Sequence, residues 1–174
     1  VNDWHALFQE LTTDPAGLGY AALGNDWPAV AAAMNAPTQD VIGTVPAYAL
    51  LRVALAEGFY PRLEIAAAMP VPADLSTPQN QQTLYLISAA KSALGTLKLP
   101  VGVAGADAVD ILGPASQQML AILVAGTIVS QAQREMLEAL AHTFKSRADI
   151  LGLGAVLSTD LPEAWRLYGD DLTS

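Results

Sequence analysis

The chain contains no cysteine. A disulfide framework, a thiol nucleophile and a Cys-based zinc site are therefore excluded. Charge is scarce, at 14% of residues, and basic charge is scarcer: 8 Lys and Arg stand against 17 Asp and Glu, for a formal charge of -9. The basic residues, Arg52, Arg62, Lys91, Lys98, Arg134, Lys145, Arg147 and Arg166, are scattered singly, and only Lys145 and Arg147 lie close in sequence. A duplex-binding protein clusters such side chains to neutralise phosphates, so no direct nucleic-acid contact is expected. The two histidines, His5 and His142, lie far apart and lack an H-x-x-H or H-E-x-x-H neighbourhood. Each reads as a surface or helix-end residue, and no metal site is expected.

Long apolar runs are also missing. The longest, Met119 to Val129, is interrupted by Gly126 and Thr127, well short of the roughly 20 residues a bilayer requires. No membrane span is expected, and Val1-Asn2-Asp3-Trp4-His5 does not read as a signal peptide. The mean hydropathy of +0.34 comes largely from alanine, close to a fifth of the chain. Alanine is the strongest helix former but buries little apolar area, so stability is expected to lean on neighbouring subunits. At 174 residues the chain suits one domain or two small ones.

Helix starts recur along the sequence. Trp4, Leu7, Phe8 and Leu11 form an amphipathic stripe over Asp3 to Thr12, stopped by Pro15, Gly17 and Gly19. Asp26 with Pro28 opens a short helix ending near Asn35-Ala36-Pro37, and Thr44 with Pro46 opens another over Tyr48 to Glu57, ended at Gly58. Pro70, Pro72 and Pro78 make residues 70–78 an extended connector between an N-terminal helical half (1–69) and a C-terminal one (79–174), unless the whole is one domain. A long helix follows from Pro78 to about Leu97, with Leu84, Ile87, Lys91 and Leu94 on one side. Val101 to Gly113 reads as loop or short strand. An apolar helix from Ala115 to Ala125 precedes Ser130-Gln131-Ala132-Gln133, a capping-box pattern. The helix it starts is expected to reach Phe144, with Met136, Leu137 and Leu140 facing the core. Asp160-Leu161-Pro162-Glu163 starts the last helix. The predicted class is all-α, a compact multi-helix bundle of short helices with Pro/Gly-rich connectors.

Candidate chemistry is thin. Asp107/Asp110 and Asp170/Asp171 lack the ligand spacing of a calcium loop, and the second pair reads as a solvated end. Gly17-Leu18-Gly19-Tyr20 and Gly152-Leu153-Gly154 match neither phosphate-binding nor dinucleotide-binding patterns and read as tight turns. The stretch Ala115 to Phe144 has the outline of a helix-turn-helix, but Arg134 is flanked by Glu135 and Glu138, a poor face for phosphates. No G-x-S-x-G elbow occurs. Neither catalytic residues nor a cofactor is expected.

Thr12-Thr13-Asp14-Pro15-Ala16-Gly17-Leu18-Gly19-Tyr20, followed by a short helix ending Met34-Asn35-Ala36, resembles the N-terminal T-D-P-x-G-x-G-Y signature of a family of small tailed-bacteriophage structural proteins. Ala108-Val109-Asp110-Ile111, Pro114, Gln118-Met119-Leu120 and the capped helix from Ser130 follow that family's order of elements. Ser146-Arg147-Ala148-Asp149-Ile150-Leu151-Gly152-Leu153-Gly154-Ala155-Val156 resembles its closing S-R-A-E-x-L-G-L-G-x-V segment. Ala16 and Leu18 stand where larger and basic residues are usual, and Asp149 replaces Glu. The resemblance implies a non-enzymatic virion component, made in the bacterial host cytoplasm and assembled with other virion proteins in several symmetric copies. Within that class a tail- or fibre-associated adaptor is favoured over a head decoration protein. The alternative is an intracellular assembly chaperone or an acidic inhibitor of a host protein.

The motif residues also have physical readings. Asp14 accepts hydrogen bonds from the turn that Pro15, Gly17 and Gly19 build, and Tyr20 anchors that turn against the core. Arg147 is expected to meet exposed carbonyls at the end of the preceding helix, and Gly152 to turn the chain. Trp4, Trp27, Trp165 and Tyr168 either fill a core poor in aromatics or anchor an interface.

Overall fold

The computed structural model describes residues 1–98 and 108–169. Among them the chain is mainly helical, with ten α-helices and two short two-stranded pairs. It separates into two compact units, residues 1–41 with 144–174 and residues 42–143. The chain thus leaves the first unit once and returns to it once. The Pro-rich segment 70–78 joins two helices inside the second unit, so the division lies elsewhere than at that connector. Proline marked a break between helices, not a break in the core.

The first unit holds α1 (Trp4–Thr13), α2 (Tyr20–Leu23), α3 (Trp27–Asn35), α9 (Arg147–Ile150) and α10 (Asp160–Tyr168). Its helix starts are local chemistry: the Asp3 carboxylate accepts from the Ala6 N–H at 2.9 Å, and Asp26 accepts from Ala29 at 3.2 Å with Pro28 in the first turn. Leu7 and Phe8 of α1, Val30 and Met34 of α3, and Leu161 and Ala164 of α10 close one core with Tyr20, Leu153 and Val156. The Asn35 side chain, at the end of α3, donates to the Val156 carbonyl at 2.6 Å and accepts from the Val156 N–H at 3.0 Å. One carboxamide thereby satisfies both backbone groups of a buried residue that would otherwise be desolvated without partners.

The second unit holds β2 (Val45–Pro46), α4 (Ala47–Ala56), α5 (Tyr60–Ala67), α6 (Pro78–Leu97), β3 (Ala108–Val109), α7 (Pro114–Ala125) and α8 (Gln131–Ala139). β2 and β3 pair antiparallel, with Val45 opposite Val109. The core gathers Leu50, Phe59, Leu63, Leu120, Leu123 and Leu137 around Ala89, Ala90 and Ala93 of α6. These alanines let α5 and α7 approach α6 closely, and Leu86 of α6 lies directly against Gly126 at the end of α7. Residues 108–109 of the expected loop-or-strand stretch form β3, whereas 101–107 lie outside the described residues.

Two expectations for the C-terminal half are corrected. α8 ends at Ala139, and His142–Lys145 forms β4, which pairs with β1 (Gln39–Ile42). The expected capping box is present, with Ser130 accepting from the Gln133 N–H at 3.2 Å and donating its own N–H to the Gln133 side chain at 2.9 Å. Gln133 is buried, however. Its amide also donates to the Glu57 carbonyl at 2.9 Å and its oxygen accepts from Arg62 at 3.2 Å. The buried residues of α8 are consequently Gln133 and Leu137, with Ala141 buried just beyond its end, and Met136 and Leu140 are exposed. A polar residue in a row that apolar counting reserves for hydrophobes rotated the expected face.

The core of the second unit retains a partly open, almost entirely apolar pocket of about 40 Å3 lined by Leu50, Leu63, Met119 and Leu123 among others. Truncation at Leu123, which is 1% exposed, enlarges a space that has not collapsed around full-length side chains. Leu123→Ala is expected to lower the unfolding free energy by about 3–5 kcal/mol, the upper part of the range for such changes. Chemical denaturation followed by circular dichroism checks this: the midpoint falls while the slope stays close to that of the parent protein.

Candidate functional site

The Thr12–Tyr20 and Ser146–Val156 segments of the resemblance meet in the first unit, where their residues build one another's positions, whereas its middle segments lie in the second unit. Asp14 ends α1 in the left-handed region at φ 42°, its N–H donating to the Glu10 carbonyl at 2.9 Å. Its carboxylate then accepts from the Leu18 N–H at 2.8 Å and the Gly19 N–H at 2.7 Å. Gly17 (φ 65°) and Gly19 (φ 77°) occupy backbone conformations that cost a side chain about 1–2 kcal/mol. Pro15 presets the turn. The expected turn is present, and Asp14 reaches further along the chain than a local Asx turn does. Its effect is to deliver Tyr20 into the core, where the ring is 4% exposed.

Tyr20 does more than pack. Its hydroxyl approaches the Glu10 carboxylate at 3.4 Å, and Glu10 is itself only 2% exposed. Arg147 grips the same carboxylate through both oxygens: Nε donates at 2.9 Å to one and Nη2 at 2.8 Å to the other. The expected role of Arg147, a donor to helix-end carbonyls, is therefore corrected. A buried carboxylate accepts the guanidinium fork more strongly than a neutral carbonyl does. Glu10 is the residue the sequence reading missed. Its one signal was its spacing, three residues after Leu7 and beside the apolar stripe of α1.

The C-terminal segment positions Arg147 by equally local means. Ser146 caps α9, accepting from the Asp149 N–H at 3.0 Å and donating its hydroxyl to the Asp149 carboxylate at 2.6 Å. Gly152 (φ 67°) then closes a Schellman turn, with its N–H on the Asp149 carbonyl at 3.1 Å and the Leu153 N–H on the Ala148 carbonyl at 2.9 Å. The Gly152 carbonyl accepts from the Asn2 side chain at 3.1 Å.

The aromatic candidates divide. Trp4 is half-buried against the core of the first unit. Tyr168 is also half-buried, its ring 5.2 Å from His5 edge-on and 5.9 Å from Phe8. Trp165, 37% exposed, meets Phe8 edge-to-face at 5.1 Å and 85°. Trp27 and Trp165 together line an open groove of about 660 Å3 with Leu11, Thr12, Tyr20 and Asn25. Tyr20 thus faces Glu10 with its hydroxyl and contributes to the groove wall.

The remaining candidates are not drawn together. Asp107, Asp170 and Asp171 lie outside the described residues, and the Asp110 carbonyl accepts the Ser116 hydroxyl at 2.6 Å. Arg134 donates to Glu138 at 2.8 Å and contacts the Gln117 side chain, so it braces α8 against α7. Among the described residues no three His, Asp or Glu side chains are grouped to hold a metal ion, and no helix is long and apolar enough to cross a membrane. No family model matches the chain, and neither a curated protein nor a solved structure matches it.

Removal of Arg147 would leave the Glu10 charge buried beside Tyr20 alone. Arg147→Met is expected to destabilise by about 3 kcal/mol, and adding Glu10→Met should restore much of that loss. A thermodynamic cycle built from denaturation curves of the single and double variants measures the coupling.

Burial, with the nearby Glu10 and Asp14 carboxylates, holds the Tyr20 phenol well above its ordinary value, while the Arg147 charge opposes the shift. The folded state therefore keeps a proton that the unfolded chain releases above about pH 10. The associated stability is complete below that pH and is lost as pH rises toward the folded value. Melting temperatures across the alkaline range should fall more steeply for the parent protein than for Tyr20→Phe.

Proposed function

We propose that this protein is a non-enzymatic structural component of a tailed-phage particle, a tail- or fibre-associated adaptor present in several copies. The observation that carries the reading is where the signature residues spend their polar atoms. Asp14 binds its own turn, Arg147 binds Glu10, and Asn35 binds both backbone groups of Val156. Such a signature specifies a folded unit from two distant segments.

Exposed apolar side chains support contact with neighbours. Tyr48 and Leu55 on α4, Ile65 on α5 and Tyr85 on α6 are 46–70% exposed, and Phe144, Leu157 and Leu167 are exposed in the first unit. Side chains of this kind are available to partners on assembly. The acidic balance keeps the free chain soluble before it is incorporated.

Mass spectrometry of particles purified from the phage that encodes the chain tests the reading. The protein is expected at a stoichiometry matching a symmetric ring or fibre attachment. Abundance in infected-cell lysate with absence from particles would overturn it in favour of an assembly chaperone or host-protein inhibitor.

A further inference from the structure

Charge is divided unequally between the two units. Among the described residues, 1–41 and 144–169 carry eight Asp and Glu against three Lys and Arg, whereas 42–98 and 108–143 carry six against five. Two of the three cations in the first unit are already paired with carboxylates. Arg147 grips Glu10, and Arg166 is held by both oxygens of Glu163 at 2.8 and 2.5 Å. The Trp27–Trp165 groove opens in this acidic unit. Asp26, exposed, immediately precedes Trp27.

We propose that the groove docks a basic, extended segment of a partner protein, with a Lys or Arg side chain seated against the indole faces. Three observations converge on that occupant. The volume, about 660 Å3, suits a few residues of extended peptide. Indole rings are the best aromatic partners of a cation, and Trp165 is pre-oriented by its edge contact with Phe8, which reduces the cost of ordering it on binding. The groove's own lining is uncharged, and it is the net negative charge of the unit bearing it that attracts a cationic segment and accelerates its encounter. It also argues against a second copy as the occupant. The first unit of another copy repels this one, and the chain's own Lys and Arg are scattered singly. The proposal deepens the adaptor reading by giving the chemistry of one partner. Peptide binding decides it, whereas particle composition decides the adaptor reading, so either can fail alone.

An octa-lysine peptide titrated into the full chain provides the test, read by the indole N–H resonances of its three tryptophans. Trp27 and Trp165 are expected to shift while Trp4 stays, and affinity should fall steeply with added salt. Trp27→Ala is expected to weaken binding about tenfold, whereas Tyr85→Ala, at an exposed aromatic of the second unit, leaves it unchanged. Octa-glutamate should not bind. Equal binding by folded Trp27→Ala, shifts absent from Trp27 and Trp165, or tighter binding of an uncharged oligoproline would each overturn the proposal. Should Trp27→Ala fail to fold, the resonances of the parent protein decide the question.

Discussion

A carboxylate with almost no access to water governs the first unit. Glu10 lies on the inward side of α1, beside Leu7 and Phe8, where an unmatched charge costs several kcal/mol. Its match arrives 137 residues later as the planar fork of Arg147, with the Tyr20 hydroxyl close by. Most of the unit's irregular features serve that convergence. Asp14, Gly17 and Gly19 fold the chain back so that Tyr20 reaches Glu10. Ser146 and Gly152 begin and end a single helical turn whose first residue is Arg147. A buried pair of this kind adds less net stability than a well-packed apolar replacement could. What it supplies here is selection: an arrangement that moves α9 relative to α1 leaves a buried charge unmatched. The Asn35–Val156 pair applies the same logic to uncharged groups, because a displaced segment would strand two backbone groups as well as a carboxamide.

What could be read from the sequence was short-range. The Asp26 and Ser130 caps, Pro28 in the first turn of α3 and the turn after α1 each depend on atoms within about five residues, and each is present, whereas Pro46 precedes α4 instead of lying in its first turn. What could not be read was long-range. The carboxylate that claims Arg147 is on α1, so helix-end carbonyls within the same segment were the only visible partners. The paired strands β1 and β4 are separated by about a hundred residues of the second unit, and the helix from Ser130 reads as continuing to Phe144 because nothing adjacent ends it. The misplaced face of α8 has a related cause. Gln133 is inward because Glu57 and Arg62 meet its amide, and neither is a sequence neighbour.

The division of the chain shows the same limit. Proline and polarity at 70–78 looked like a boundary because they interrupt helices. A core is delimited by which side chains share it, and α5 and α6, on either side of that segment, pack in one cluster. The second unit is continuous and is built from alanine-lined contacts around α6. The first is assembled from both outer parts of the sequence and is held by specific polar pairs. A discontinuous unit needs such pairs more, because its two segments lack the proximity that a short connection provides.

The two units consequently present different chemistry to their surroundings. The second has a nearly balanced charge and exposes Tyr48, Leu55, Ile65 and Tyr85, which suits it to apolar contacts that tolerate salt. The first is strongly acidic and offers an aromatic groove, which suits a contact that depends on charge. Tyr20 ties that surface to the fold: the turn that sends its hydroxyl toward Glu10 also makes its ring part of the groove wall. Loss of the Glu10–Arg147 pair would therefore alter the groove as well as the stability of the unit that bears it.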